Sequence, residues 1–226
     1  MHRAIGVFLI IVLGPFLSYG GKARLLICPD RFGTDSFIQA EKERWSDFGL
    51  EVFVVDFYGD KRSFSDPEAQ QQWSQLPNSK IEDAIQKAFD SGIKGRQEGT
   101  EFGLIAFQES ANSCLRFFGQ NLSLRAAILI HPNFVREAAQ GPVSDRRVMV
   151  VGAAAAKDFN KNAYRAYVEE LKKRQFLVSD IALKAVFSDF YRSNSPKSFQ
   201  PQFAFEMRKS SEDFFRKYLT FQDNKK

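Results

Sequence analysis

The chain has 226 residues, 44% of them hydrophobic and 26% charged, which suits a single globular domain and excludes a disordered or collagen-like chain. Its net charge of +5 comes from interspersed signs with no basic block, so nothing points to nucleic acid. Two cysteines rule out a disulfide scaffold or a four-cysteine zinc site, and two histidines leave little for a histidine-based metal cage.

The first twenty residues read as an address. His2 and Arg3 give a polar, positive start. Ala4 to Leu17 is an apolar stretch broken only by Gly14-Pro15, and Ser18-Tyr19-Gly20 follows with small residues where a signal peptidase reads. The stretch fits the hydrophobic part of a secretory leader and is short of the about 20 residues of a bilayer span. Residues 1–20 are therefore expected to be a signal peptide cleaved after Gly20, leaving 21–226 as one secreted or lumenal domain without a membrane span. Asn121-Leu122-Ser123 is a glycosylation sequon placed just after an expected helix.

Beyond the leader, strands and helices alternate. Leu25-Leu26-Ile27-Cys28 is a continuous apolar run ended by Pro29-Asp30, as in a strand buried on both faces. Asp35-Ser36 can cap a helix that runs to Phe48 and stops at Gly49. Val52 to Val55 is a second buried strand. Lys61 to Asn78 is polar and without clear periodicity, a candidate flap with a short helix. Ser79 and Glu82 have capping-box spacing ahead of the stripe Ile81, Ala84, Ile85, Ala88 and Phe89, which should end at Gly92. Strands are expected at Phe102 to Phe107, Ala126 to Ile130, Val148 to Ala153 and Ile181 to Phe187. Helices are expected at Ser110 to Phe118 (ended by Gly119), Asn162 to Arg174 and Phe203 to Leu219. Such alternation means an α/β fold, a mostly parallel sheet with helices on both faces in a three-layer sandwich. With 24 phenylalanines against 6 tyrosines and 2 tryptophans, the interior should be well packed and low in polar handles.

In sheets of this kind, sites form at the carboxyl ends of strands. Leu104 to Ala111 runs straight from strand into helix, and Ala106 and Ser110 are small residues two before and two after Gln108. That is the steric demand of a nucleophile elbow. Its tip is an amide, which has no lone pair free to attack a carbonyl.

From about Leu25 to Leu219 the ordered segments resemble the dienelactone hydrolases, a branch of the α/β hydrolases. Leu26 to Gly33 is similar to the family's strand with an acidic residue and Phe-Gly, here Asp30 and Phe32-Gly33. Gly49 to Gly59 (GLEVFVVDFYG) is similar to its Gly-aromatic, strand, Asp-hydrophobic-Tyr-Gly segment. The elbow is similar to Gly-Phe-Cys-x-Gly-Gly, with Gln108 at the cysteine. Ile130 to Val135 resembles a His-Pro-Ser-Phe-Val segment. Ala153 to Phe159 resembles the loop of the triad acid, which falls on Asp158. Val186 to Arg192 resembles the segment bearing His-Gly-Phe, which puts the histidine position at Ser188 or, with a one-residue slip, at Asp189.

The family's reaction needs a cysteine nucleophile, a histidine base and an acid that holds the histidine. Here only the acid remains. The resemblance therefore implies a degenerate triad at Gln108, Asp158 and Ser188 or Asp189, with Asp30, Phe32, Glu109 and His131 around the pocket. The Glu109 main-chain N–H is expected to supply an oxyanion-type donor, and its side chain to fill the site with charge. No cofactor or metal is implied. The main expectation is a secreted protein that no longer hydrolyses and binds a small molecule or a protein partner. The alternative is a weak ester or lactone hydrolase using Asp158, His131 and Ser110. Cys114 reads as a buried thiol, and a disulfide to Cys28 at the end of the neighbouring strand is conceivable in an oxidising compartment. The family also has a strand or hairpin ahead of its first core strand, so this sheet should be shorter at one edge.

The leader generates a direct expectation. N-terminal sequencing of the exported protein should begin at or near Gly21, whereas a full-length chain recovered from cytosol would contradict export.

Overall fold

Arg24–Cys28 (β1) is buried along its whole length, which is why the sequence shows no alternation there. The computed structural model describes residues 22–59, 65–96, 100–134 and 146–219; the expected leader and Lys61 to Phe64 of the expected flap lie outside them. After β1 come α1 (Ser36–Asp47), β2 (Glu51–Val54), α2 (Asp66–Ser74) and α3 (Asn78–Ile93). Then follow β3 (Phe102–Phe107), α4 (Ala111–Gln120), β4 (Leu124–Ile130), β5 (Arg147–Ala153), α5 (Lys161–Lys173), β6 (Leu177–Leu183) and α6 (Pro201–Tyr218). The six strands form one parallel sheet in the order β2-β1-β3-β4-β5-β6. Among the described residues no strand precedes β1, and β2 forms an edge.

The pleat sends alternate residues to opposite faces, and each face carries its own core. Leu25, Ile27, Ile105, Ile128 and Val151 meet Phe37 and Trp45 of α1 and Met207, Phe214 and Phe215 of α6. On the other face, Leu26, Leu104, Leu129 and Val150 meet Ile85 and Phe89 of α3, Leu115 and Phe118 of α4, and Val168 and Leu171 of α5. The fold is thus the expected α/β three-layer sandwich. Phenylalanine fills these layers by edge contacts, as where Phe89 packs on Phe117 with ring centres 5.2 Å apart. No helix among the described residues is long and apolar enough to cross a membrane.

Three local expectations need correction. The capping box does not form, because α3 starts at Asn78 after Pro77; Ser79 is already inside the helix and cannot accept as its cap. The last strand is Leu177–Leu183 rather than Ile181 to Phe187. As an edge strand it is largely exposed, so continuous hydrophobicity does not mark it, and the apolar Val186 and Phe187 lie exposed beyond its end. Gly119 does not stop α4, which runs on to Gln120. The helix end is closed instead by Arg146, whose guanidinium donates to the carbonyls of Phe118, Gly119 (2.6 Å) and Asn121 (3.0 Å). A cation on the last carbonyls suits the negative end of a helix. By contrast, Asp35 caps α1 as its sequence position suggests, accepting from the Ile38 N–H at 3.1 Å.

Cys28, at the end of β1, and Cys114, in α4, form a disulfide that spans 86 residues. A cross-link over so long a loop restricts the unfolded chain strongly. Replacing Cys114 by Ala should lower the unfolding free energy by about 2–5 kcal/mol, read from urea denaturation under non-reducing conditions.

Candidate functional site

The elbow is built where β3 leaves the sheet. After Phe107 the chain makes one 3₁₀ turn over Gln108–Ser110 and continues as α4. The turn forces Gln108 to φ +41°, a left-handed conformation that costs a non-glycine residue of order 1 kcal/mol. Gln108 is 5% exposed. Its Oε1 accepts from Arg31 Nη1 at 2.8 Å, while its buried Nε2 has no hydrogen-bond partner among the described residues.

Arg31 is the centre of this cluster. The turn after β1 carries it across the elbow, where Nη1 also meets Glu109 Oε1 at 2.6 Å and Nη2 meets Asp66 Oδ1 at 2.7 Å. The Arg31 main-chain N–H donates to the other Glu109 oxygen at 3.3 Å, and the Arg31 carbonyl accepts from the Tyr58 hydroxyl at 2.8 Å. Burial raises the Glu109 carboxyl above the usual carboxylate range against the opposing pull of Arg31. Ser110, fully buried, has its hydroxyl directed to the carbonyls of Cys28 (3.1 Å) and Phe107 (3.0 Å).

Beside the elbow, Asp30 is sealed from solvent. It accepts from the Phe32 N–H at 3.1 Å, the Tyr191 hydroxyl at 3.2 Å and Arg192 Nη1 at 2.6 Å. The Phe32 ring lies under two guanidinium groups, Arg31 at 5.0 Å and Arg192 at 4.3 Å. His131, at the end of β4 and 6% exposed, also has a left-handed backbone, φ +45°. Its Nδ1 accepts from the Ala153 N–H at 3.1 Å, and its Nε2 lies 3.5 Å from Asp158 Oδ2. This fits a neutral imidazole with its proton on Nε2.

No family model and no curated protein matches the sequence. Solved structures match over most of its length. A dienelactone-hydrolase-like promiscuous phosphotriesterase from metagenomic libraries has a TM-score of 0.74 at 17% identity, covering 89% of this chain and 88% of that one. A Klebsiella pneumoniae protein assigned as a dienelactone hydrolase has a TM-score of 0.74 at 14% identity, with 90% of each chain covered. The dienelactone hydrolase of Anabaena variabilis gives 0.59 at 10% identity over 88% of each. The fold is that of the dienelactone hydrolases.

On this dienelactone-hydrolase fold the residues that the sequence resemblance assigns to the triad are distributed as follows. Gln108 stands at the strand–helix turn. Asp158, largely exposed, is directed to His131. Asp189 lies close enough for its charge to act on His131, and it accepts from the Ser198 hydroxyl at 2.7 Å. Ser188 is half-buried in the turn that follows β6. Asp158 thus stands beside His131, while Arg31 reaches Gln108 and Glu109. Among the described residues no group of three or more histidine, cysteine or acidic side chains is placed to hold a metal. At the sequon, the Asn121 amide donates to the Phe117 carbonyl at 3.1 Å, and Leu122 is strongly exposed.

Sequence reasoning missed Arg31, Tyr191 and Arg192. Arg31 directly follows Asp30, where an arginine reads as a surface residue. Tyr191 and Arg192 lie more than 150 residues from the acid they bond, and no local spacing announces that pairing.

Burial lowers the His131 pKa from its ordinary value of 6.5, with Asp158 and Asp189 opposing. The folded state therefore prefers neutral His131 and loses stability as pH falls through about 6.5 towards the lower folded value. An NMR titration of the His131 ring should give a midpoint below 6.5. The His131→Gln variant should lose that part of the acid sensitivity in denaturation curves.

Proposed function

We propose that this protein is a secreted dienelactone-hydrolase-like pseudoenzyme that binds a small molecule or a protein partner instead of hydrolysing a substrate. The observation that carries this reading is Gln108, which holds the strained tip of the elbow while its side-chain oxygen is bound by Arg31. A carboxamide in that position offers no nucleophile, and the Arg31–Glu109 pair fills the space beside it with charge. The solved structures that share the fold include esterases and a phosphotriesterase by name, so hydrolase chemistry is the family background against which the loss is read. Export is supported by the N-terminal pattern and by the Cys28–Cys114 disulfide, since such bonds persist in oxidising compartments.

The second reading is a weak ester or lactone hydrolase with Asp158, His131 and Ser110 in the catalytic roles. The His131–Asp158 approach favours it. Against it stand the Ser110 hydroxyl, committed to main-chain carbonyls in the interior, and His131 Nδ1, already taken by the Ala153 N–H. A base with both nitrogens engaged has none left for a nucleophile.

Hydrolysis of an activated ester tests the two. Wild type should run at the buffer rate, orders of magnitude below a triad enzyme. Gln108→Cys alone should give a thiol of ordinary reactivity and little turnover. Adding Ser188→His or Asp189→His should produce measurable hydrolysis in one of the two registers. Robust wild-type turnover lost on Gln108→Ala would overturn the proposal. Serine-probe labelling that disappears in Ser110→Ala would establish the second reading instead.

A further inference from the structure

The edge strand β2 offers a second surface, away from the elbow. In a parallel ladder alternate residues bond to each neighbour. The Glu51 N–H donates to Ala23 at 3.0 Å and the Val55 N–H to Ile27 at 2.8 Å, so Glu51, Phe53 and Val55 face β1. Val52 and Val54 consequently turn their N–H and C=O groups outward, where no strand lies among the described residues. A groove of about 640 Å³ runs along this edge, with the outward main chain of β2 as its floor, α1 as one wall and α3 as the other. The Val52 and Val54 side chains pack against the α1–α6 core and Phe53 against the opposite core, which seats the strand, and no described strand takes up its outward ladder groups.

We propose that the β2 edge receives an extended, acidic segment of another protein as an added strand. Chain pairing supplies the main-chain hydrogen bonds, and flanking side chains supply selectivity. Lys42 projects from α1 on one sheet face and Lys87 from α3 on the other, both exposed. Neither ammonium has an ion-pair partner among the described residues, whereas the single acid in the groove lining, Asp56, already accepts from the Tyr58 N–H. Successive side chains of an added strand point to opposite faces, so two adjacent acidic residues meet Lys42 and Lys87 in turn. On the α3 side, Ala84, Ala88 and Ser91 are small and leave room for the incoming side chains.

A second copy of this chain fits less well. Two-fold pairing of β2 with itself would bring both sets of lysines together in a molecule that already carries a net positive charge. Lysines along an open edge are a common device against such self-pairing.

The test uses a fluorescent synthetic peptide of alternating valine and threonine with two adjacent central glutamates, titrated with the mature protein. Binding should be saturable and should slow amide exchange at Val52 and Val54. The double variant Lys42→Glu/Lys87→Glu, whose changes are on exposed helix faces, should weaken it by about tenfold or more. N-methylation along one edge of the peptide should abolish binding, and along the other edge should leave it intact, as pairing through a single ladder requires. Equal affinity for the peptide with lysines in place of glutamates, or indifference to N-methylation on both edges, would overturn the proposal. A protein dimer that protects Val52 and Val54 and is not displaced by the peptide would overturn it in favour of self-association.

Discussion

A carboxylate without access to water has to be surrounded by donors and a cation, and Asp30 imposes that demand on much of the molecule. The answering guanidinium, Arg192, is itself 1% exposed and reaches with its second arm to Asp35, the residue that caps α1. One arginine from the turn ahead of α6 thereby fixes the loop after β1, the start of α1 and the Phe32 and Phe37 rings against which it lies. The arrangement is interdependent. Losing either charge leaves the other buried and uncompensated, so the β1 loop, the α1 cap and the late turn hold their positions together.

The same loop delivers Arg31 to the elbow. Asp30 points inward and is fully satisfied, which orients the next residue across the strand end toward Gln108 and Glu109. The Gln108 oxygen and the Glu109 carboxylate are both engaged by this one side chain. Arg31 remains cationic there: burial works against its charge, and Glu109 and Asp66 outweigh that effect. The space at the strand ends is thus occupied by protein charge, and the strained φ of Gln108 persists because the β3–α4 path fixes it whatever side chain stands at the tip.

The sequence was legible where burial acts on both faces of an element or where a cap has a fixed offset. Phe102–Phe107 is an uninterrupted apolar run and forms a strand with those bounds, and Asp35 caps the helix it precedes. Gln108 was legible as an elbow tip because small flanking residues are a steric requirement, visible without coordinates. β6 was displaced because an edge strand with polar Ser179 and Asp180 carries no continuous hydrophobic pattern. The end of α4 was misjudged because its closure comes from Arg146, a residue beyond the next strand. His131 was legible as a strand-end residue, but its coupling to Asp158 and the Ala153 N–H depends on β4 and β5 lying side by side. Long-range pairings of charge leave no trace in local spacing.

The strand order also sets a sequence of events during synthesis. β1 sits between β2 and β3, yet it is the first of the described strands to be made, and β3 is completed only after three helices have been added. Until Phe102–Phe107 emerges, the fully apolar Leu25-Leu26-Ile27-Cys28 has only the short β2 to pair with, and its second edge stays open. Cys28 waits longer still, for Cys114 in the helix after β3. Non-local parallel pairing is slow to close, and a hydrophobic strand left open invites wrong partners. The nascent chain therefore carries a fully apolar strand well before the partner that covers its second edge, and its vulnerability lasts until the β3–α4 unit docks.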